Sequence, residues 1–101
     1  MPAIQQVAAL KHALDAAALR HSLLAANLAN LHTPGYARRD LDFERALHDL
    51  SVDPKEALAQ GGAPSLQKEM SGLMSTDSFY AVCSKALSMR YQMMHTALKE
   101  R

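Results

Sequence analysis

Between residues 3 and 31 the apolar positions recur at steps alternating between 3 and 4: Val7, Leu10, Leu14, Ala17, His21, Leu24, Leu28 and Leu31. Sustained over more than three repeats, this is the seam of a helix that packs lengthwise on another. Leu19 and Leu23 widen the face, and Lys11, Asp15 and Arg20 are the only formal charges in the stretch. The far side is therefore rich in Ala and Asn and can itself be covered. His21 falls in the seam, where a hydrogen-bonded core or interface role is expected of it. Asn27 and Asn30 weaken the helix end, and Pro34 disfavours helical geometry at Thr33. Pro34-Gly35 suits the two central positions of a type II turn, so 32–39 is expected to be a tight loop.

Residues 40–50 (DLDFERALHDL) predict a short helix with Asp40 at its N-cap and apolar Leu41, Phe43, Leu47 and Leu50. The following 51–64, with two Pro and a Gly pair, is expected to be an irregular connector. A second long helix is predicted over 65–99, capped by Ser65 with Glu69 in its first turn. Leu66, Met70, Leu73, Asp77, Tyr80, Ser84, Leu87, Tyr91, Met94 and Leu98 alternate steps of 4 and 3, and Phe79, Val82, Ala86, Met93 and Ala97 form an adjoining stripe. So broad a face fits a helix that touches more than one neighbour. Asp77 and Ser84 interrupt it and are positioned to fix register. The Met residues of this helix read as core or as an adaptable interface.

Length decides between a ball and a rod. The two helices would run about 43 Å and 52 Å, whereas a compact 100-residue globule is only about 34 Å across. The expected fold is all-α: one domain, 1–101, forming an extended, coiled-coil-like antiparallel helical hairpin. Ala and Leu dominate an apolar fraction of 49%, aromatic residues are 5% and Trp is absent, so slim helices bury little area. The isolated subunit is expected to be partly disordered and to order on assembly.

Composition and chemistry narrow the function. A net charge of +1 provides no global field for nucleic acid or an anionic membrane. No stretch is long and apolar enough to span a bilayer, and MPAIQQVAAL has neither the basic start nor the apolar run of a cleavable signal peptide. Cys83 is the single cysteine, so no internal disulfide forms. It lies 12 residues from His95 on one predicted helix, about 18 Å along the axis, too far for a thiol–imidazole pair. The histidines at 12, 21, 32, 48 and 95 show no ligand spacing, and no Gly-rich phosphate loop occurs. The chain reads as non-enzymatic, with no metal, cofactor, nucleic acid or small-molecule substrate.

The stretch ALRHSLLAANLANLHTPGYARRDLDFERAL, residues 18–47, resembles the N-terminal signature of bacterial flagellar basal-body rod proteins. It carries Asn27-Leu28-Ala29-Asn30, then Thr33-Pro34-Gly35-Tyr36, then Arg38 and Phe43. The C-terminal stretch is similar to the family's closing helix at Glu69-Met70, Leu73, Tyr80 and Leu98, so about two-thirds of the chain is covered. Within the family it is most similar to the proximal rod proteins. It departs from the others at Ser78–Cys83, where they carry an Arg-Ala-Tyr-Glu-Ala-Asn-like run, and it is short in the 51–65 connector.

The resemblance implies a structural subunit for flagellum-dependent motility. Such a subunit leaves the cytoplasm through the flagellar type III export apparatus and stacks with itself and other rod proteins in a helical tube of the basal body, against the membrane-ring junction protein. Leu14, Leu24, Asn27, Leu28, Asn30, Tyr80, Leu87, Tyr91 and Met94 are then expected at subunit interfaces, and Thr33, Pro34, Gly35 and Tyr36 form the signature loop. Tyr36 is expected to pack on a neighbouring subunit. Phe43 and Leu47 match a Phe-x-x-x-apolar motif read at the export gate; they also match an ordinary amphipathic pair. A soluble helical adaptor or export chaperone is the alternative, although such a protein has no need of NLAN and TPGY between its helices.

Overall fold

A computed structural model describes residues 2–100. Two long helices, α1 (Ala3–Ala29) and α3 (Leu66–Lys99), lie side by side. Their 27 and 34 residues correspond to about 40 Å and 51 Å. Arg20 meets Thr76, Leu24 faces Gly72 and Asn27 meets Glu69. One number rises as the other falls, so the pair is antiparallel, and the predicted helical hairpin is what forms. The subunit measures 62 × 23 × 14 Å with a radius of gyration of 16.6 Å, well above the roughly 13 Å of a compact chain this long.

The helices begin and end where local chemistry dictates. Pro2 occupies the N-cap of α1, and Gln6 N–H reaches its carbonyl at 3.1 Å. At the other end Asn30 N–H is shared between the carbonyls of Ala26 and Asn27, both at 3.1 Å, a three-centre bond common at helix termini. The Asn30 amide donates to Ala26 O at 2.8 Å and accepts from Thr33 Oγ1 at 3.0 Å. Thr33-Pro34-Gly35-Tyr36 then closes as a turn, with Tyr36 N–H on Thr33 O at 3.2 Å and Gly35 at φ +76°. Nothing lies within 4 Å of a Cβ built on Gly35, so any cost of a side chain there is backbone strain alone. Gly35→Val is expected to destabilise the subunit by about 1–3 kcal/mol and Gly35→Asn by much less. Urea unfolding of both variants checks this ranking.

Between the hairpin's two legs lies an arm with more order than the sequence predicts. β1 (Arg39–Leu41) pairs antiparallel with β2 (Leu58–Gln60), Arg39 opposite Gln60 and Leu41 opposite Leu58. Bonds from Arg38 N–H to Gly62 O and from Gly61 N–H to Arg38 O extend the ladder. α2 (Phe43–His48) and a 3-10 turn at Pro54–Ala57 fill the loop between the strands. The connector 51–64, expected to be irregular from its Pro and Gly content, carries the 3-10 turn and β2 in its middle. Strands of three residues are too short to display an alternating pattern, and backbone pairing specifies them instead. The short helix also starts later than expected. Asp42 caps it through Arg45 N–H, because the Asp40 carboxylate is held by Arg20, Arg38 and Leu41 N–H.

The apolar core joins the arm to α1. Ala16 and Leu23 pack with Leu41, Ala46 and Ala57, flanked by Leu19, Phe43 and Leu47. His12 Nε2 bonds Ala46 O at 2.5 Å, pinning the end of α2. Phe43 lies edge-on to Phe79 of α3, centroids 4.9 Å apart at 78°, with the Arg20 guanidinium 5.6 Å over its ring. The small side chains Ala13, Ala16 and Ala17 are buried along α1 and let neighbouring backbones come close. Gly72 does the same in α3: a Cβ there would meet Leu24 Cδ1 at 2.8 Å.

Candidate assembly surface and the polar clamp behind it

The residues most tightly held in the subunit are polar. Glu69 and Asn27 are fully buried. Glu69 Oε1 accepts from Arg38 Nη2 at 2.7 Å and from Asn27 Nδ2 at 3.0 Å, while Oε2 accepts from Ser65 N–H at 2.9 Å. Asn27 reads the backbone of β1 as a neighbouring strand would: Oδ1 accepts Arg39 N–H at 2.9 Å and Nδ2 donates to Arg39 O at 2.6 Å. Tyr36 Oη adds a second bond to Asn27 Oδ1, at 3.2 Å. An amide offers both a donor and an acceptor in one plane, which neither Asp nor Leu can supply.

Arg38 carries the clamp outward to Asp40 at 3.3 Å, and Arg20 Nε continues it to Asp40 Oδ1 at 3.0 Å and through Nη1 to the buried Thr76 at 3.3 Å. Two guanidinium groups thus face two carboxylates, and no buried side-chain polar atom among the described residues lacks a partner. Burial by itself pushes the Glu69 carboxyl upward. Arg38, the Ser65 N–H and the Asn27 amide together outweigh that and hold it below the usual carboxylate range. The bond to Glu69 correspondingly raises Arg38. The clamp ties the end of α1, the signature loop, β1 and the start of α3 into one corner.

Several expected interface residues are therefore structural. Leu24 and Asn27 are completely enclosed within the subunit and unavailable to a neighbour. Tyr36, expected on a neighbouring subunit, is half-buried against Asn27, and Asn30 is the helix cap. Thr33, Pro34 and Gly35 form the exposed outside of the turn, while Phe43 and Leu47 are half-buried beneath the arm. His21, expected in a dry seam, is half-exposed and meets Asp77 at 3.4 Å. Cys83 is buried and its thiol pushed up by that burial. Glu69 was legible as a first-turn acid, Arg38 as part of the signature string and Asp40 as a helix cap, none of them as a buried or bridging partner, and Arg20 and Gly72 carried no signal for their contacts. Their partners lie as much as 56 residues away in sequence.

Much of the outward side of α3 is apolar. The stripe of α3 turned toward the subunit runs through Glu69, Gly72, Thr76, Phe79, Cys83 and Ala86. The apolar row predicted as the seam lies one residue aside and is largely unpartnered: Leu66, Met70, Tyr80, Tyr91, Met94 and Leu98 are each 37–64% exposed. Leu28 is half-buried at the corner. Leu14 and Leu87 are half-buried in an open groove between the helices that Tyr91 also lines. Among the described residues, no helix is long and apolar enough to cross a membrane, and no cluster of metal-ligating side chains occurs.

No family model matches the chain. Over part of its length the sequence is nevertheless similar to curated flagellar basal body rod proteins. The particular relatives it matches are FlgB proteins. The chain is 46% identical over 46 residues to the flagellar basal body rod protein FlgB of Salmonella typhimurium, a match covering 46% of this chain and 33% of that protein. It is 51% identical over 47 residues to FlgB of Escherichia coli K12, covering 46% and 34%, and the match to FlgB of Shigella flexneri has the same extent. The match spans about a third of the length of these relatives.

Proposed function

We propose that the chain is a structural subunit of the flagellar basal-body rod, assembled by packing of its exposed helical faces. The exposed row on α3 carries the reading: Leu66, Met70, Tyr80, Tyr91, Met94 and Leu98 form an apolar face along a 62 Å subunit. Monomeric proteins seldom leave so continuous a face bare. The similarity to FlgB supplies the assembly in which such a face would be covered. On this reading the partners are further copies, other rod proteins and the membrane-ring junction protein. The subunit reaches them from the cytoplasm through the flagellar export apparatus. No catalytic role is proposed. An affinity-tagged chain should co-purify with basal bodies, and its absence from them refutes the reading.

Export makes a separate prediction at Phe43. Its ring packs on Phe79 and under Arg20, so a gate that reads Phe43 and Leu47 must meet the chain before the arm closes. Phe43→Ala is expected to leave protein in the cytoplasm. Assaying secreted and incorporated protein separately checks this; normal secretion with failed incorporation would mean that Phe43 serves packing alone.

A further inference from the structure

The charges of the subunit are segregated. From residue 78 to residue 99 the chain carries Lys85, Arg90 and Lys99 and no acidic residue, whereas residues 40–56 of the arm carry six acids and only Arg45 and Lys55 as cations. Asp40 is committed to Arg20 and Arg38, but Asp42, Glu44, Asp49, Asp53 and Glu56 are exposed. None of these five is in an ion pair among the described residues, and neither are Lys85, Arg90 and Lys99. The two regions form no ion pair with one another among the described residues. Lys85, Arg90 and Lys99 lie about 9, 17 and 30 Å along the axis from Phe79, where Phe43 of the arm meets α3.

Apolar surface accompanies the charge on both sides. Val82, Met89 and Met93 are 52–68% exposed beside Lys85 and Arg90, and Met89 and Met93 line a shallow trough on α3. On the arm, Leu50 and Leu58 are each 47% exposed among the acids. We propose that the C-terminal half of α3 docks on the acidic arm of a second copy of this chain. The cations ring a methionine contact that the second copy's Leu50 and Leu58 help to cover, and opposite potentials set the register. The patch and its acceptor are different surfaces, so a single contact leaves each copy with one of the two free, and the contact can repeat from subunit to subunit. This inference rests on the rod-subunit reading and names one contact within that assembly.

Charge reversal in two sets tests it on the full chain. Lys85→Glu with Arg90→Glu reverses the helix, and Glu44→Lys with Glu56→Lys reverses the arm; none of the four side chains makes a bond that the fold uses. Sedimentation of wild type at low salt should show concentration-dependent association that weakens as salt rises. Each double variant alone should associate about tenfold or more weakly, with unchanged helical circular dichroism. An equimolar mixture should recover association, because the acidic helix of one variant then meets the basic arm of the other. A mixture that stays monomeric, or wild-type association insensitive to salt, overturns the contact. Recovery in the mixture together with absence of the chain from basal bodies would uphold the contact and remove the rod reading instead.

Discussion

Glu69→Ala is expected to lower the stability of the subunit by about 3–5 kcal/mol, the cost of breaking a buried ion pair on one side. Glu69 is fully enclosed and the Arg38 side chain is 12% exposed, so neither is rescued by water in place. The substitution would leave Arg38 with Asp40 alone at 3.3 Å, and the Asn27 amide and the Ser65 N–H would each lose an acceptor. Glu69→Gln keeps one oxygen for Asn27 and should cost less, while removing the titrating group. The pH dependence follows from the sign of the shift. The folded carboxyl titrates below its unfolded value, so its contribution is complete above about pH 4.3, the unfolded value. It declines as the pH drops further and is lost through the lowered folded value. Urea unfolding at neutral pH and at steps below about pH 4 should therefore show the gap between wild type and Glu69→Gln narrowing with acid. A gap independent of pH would mean that the Glu69 carboxyl titrates alike in the folded and unfolded chain.

The same clamp explains which parts of the structure the sequence made legible. Both long helices and the turn between α1 and the arm follow from local signals: alternating steps of 3 and 4, a Pro-Gly pair, and Ser65 accepting from Lys68 N–H. The register of α3 does not. A hydrophobicity reading turns Leu66, Met70, Tyr80 and Tyr91 inward, yet the buried row one residue away contains Glu69 and Thr76. Neighbouring helix positions are about 100° apart, so that one step separates the inside from the surface. Polar residues can occupy the inner row because Arg20, Arg38 and Asn27 satisfy them, and those partners sit 31–56 residues away. No local pattern encodes such a match. The NLAN and TPGY strings marked the right corner, but the sequence assigned Asn27 to contact with another subunit, whereas it holds the subunit's own strand. Gly72 was invisible for the same reason, since a helical glycine announces nothing until Leu24 is seen against it.

Leu24→Asp is expected to prevent the subunit from folding, an earlier failure than a block in assembly. Leu24 is wholly buried between α1 and α3 of one chain, and its Cδ1 already sits where a Cβ on Gly72 would touch. Truncation to Ala alone should cost about 2–5 kcal/mol. A carboxylate adds the penalty of a buried charge with no free partner, because the nearby Arg20 is engaged by Asp40 and Thr76. Against a total stability of about 5–15 kcal/mol for a domain, that loss is decisive. Tyr91→Asp makes the contrasting case. Tyr91 is 45% exposed on the outer row of α3, so its substitution should change subunit stability by about 0.5 kcal/mol or less while placing a charge on the proposed assembly face. Circular dichroism with hydrogen exchange on each purified variant, read beside incorporation into basal bodies, separates the two. Leu24→Asp should lose helical protection and Tyr91→Asp should keep it, and both should be absent from the rod. A Leu24→Asp chain that folds as well as wild type but fails to assemble would return Leu24 to the surface between subunits and overturn the packing of α1 on α3.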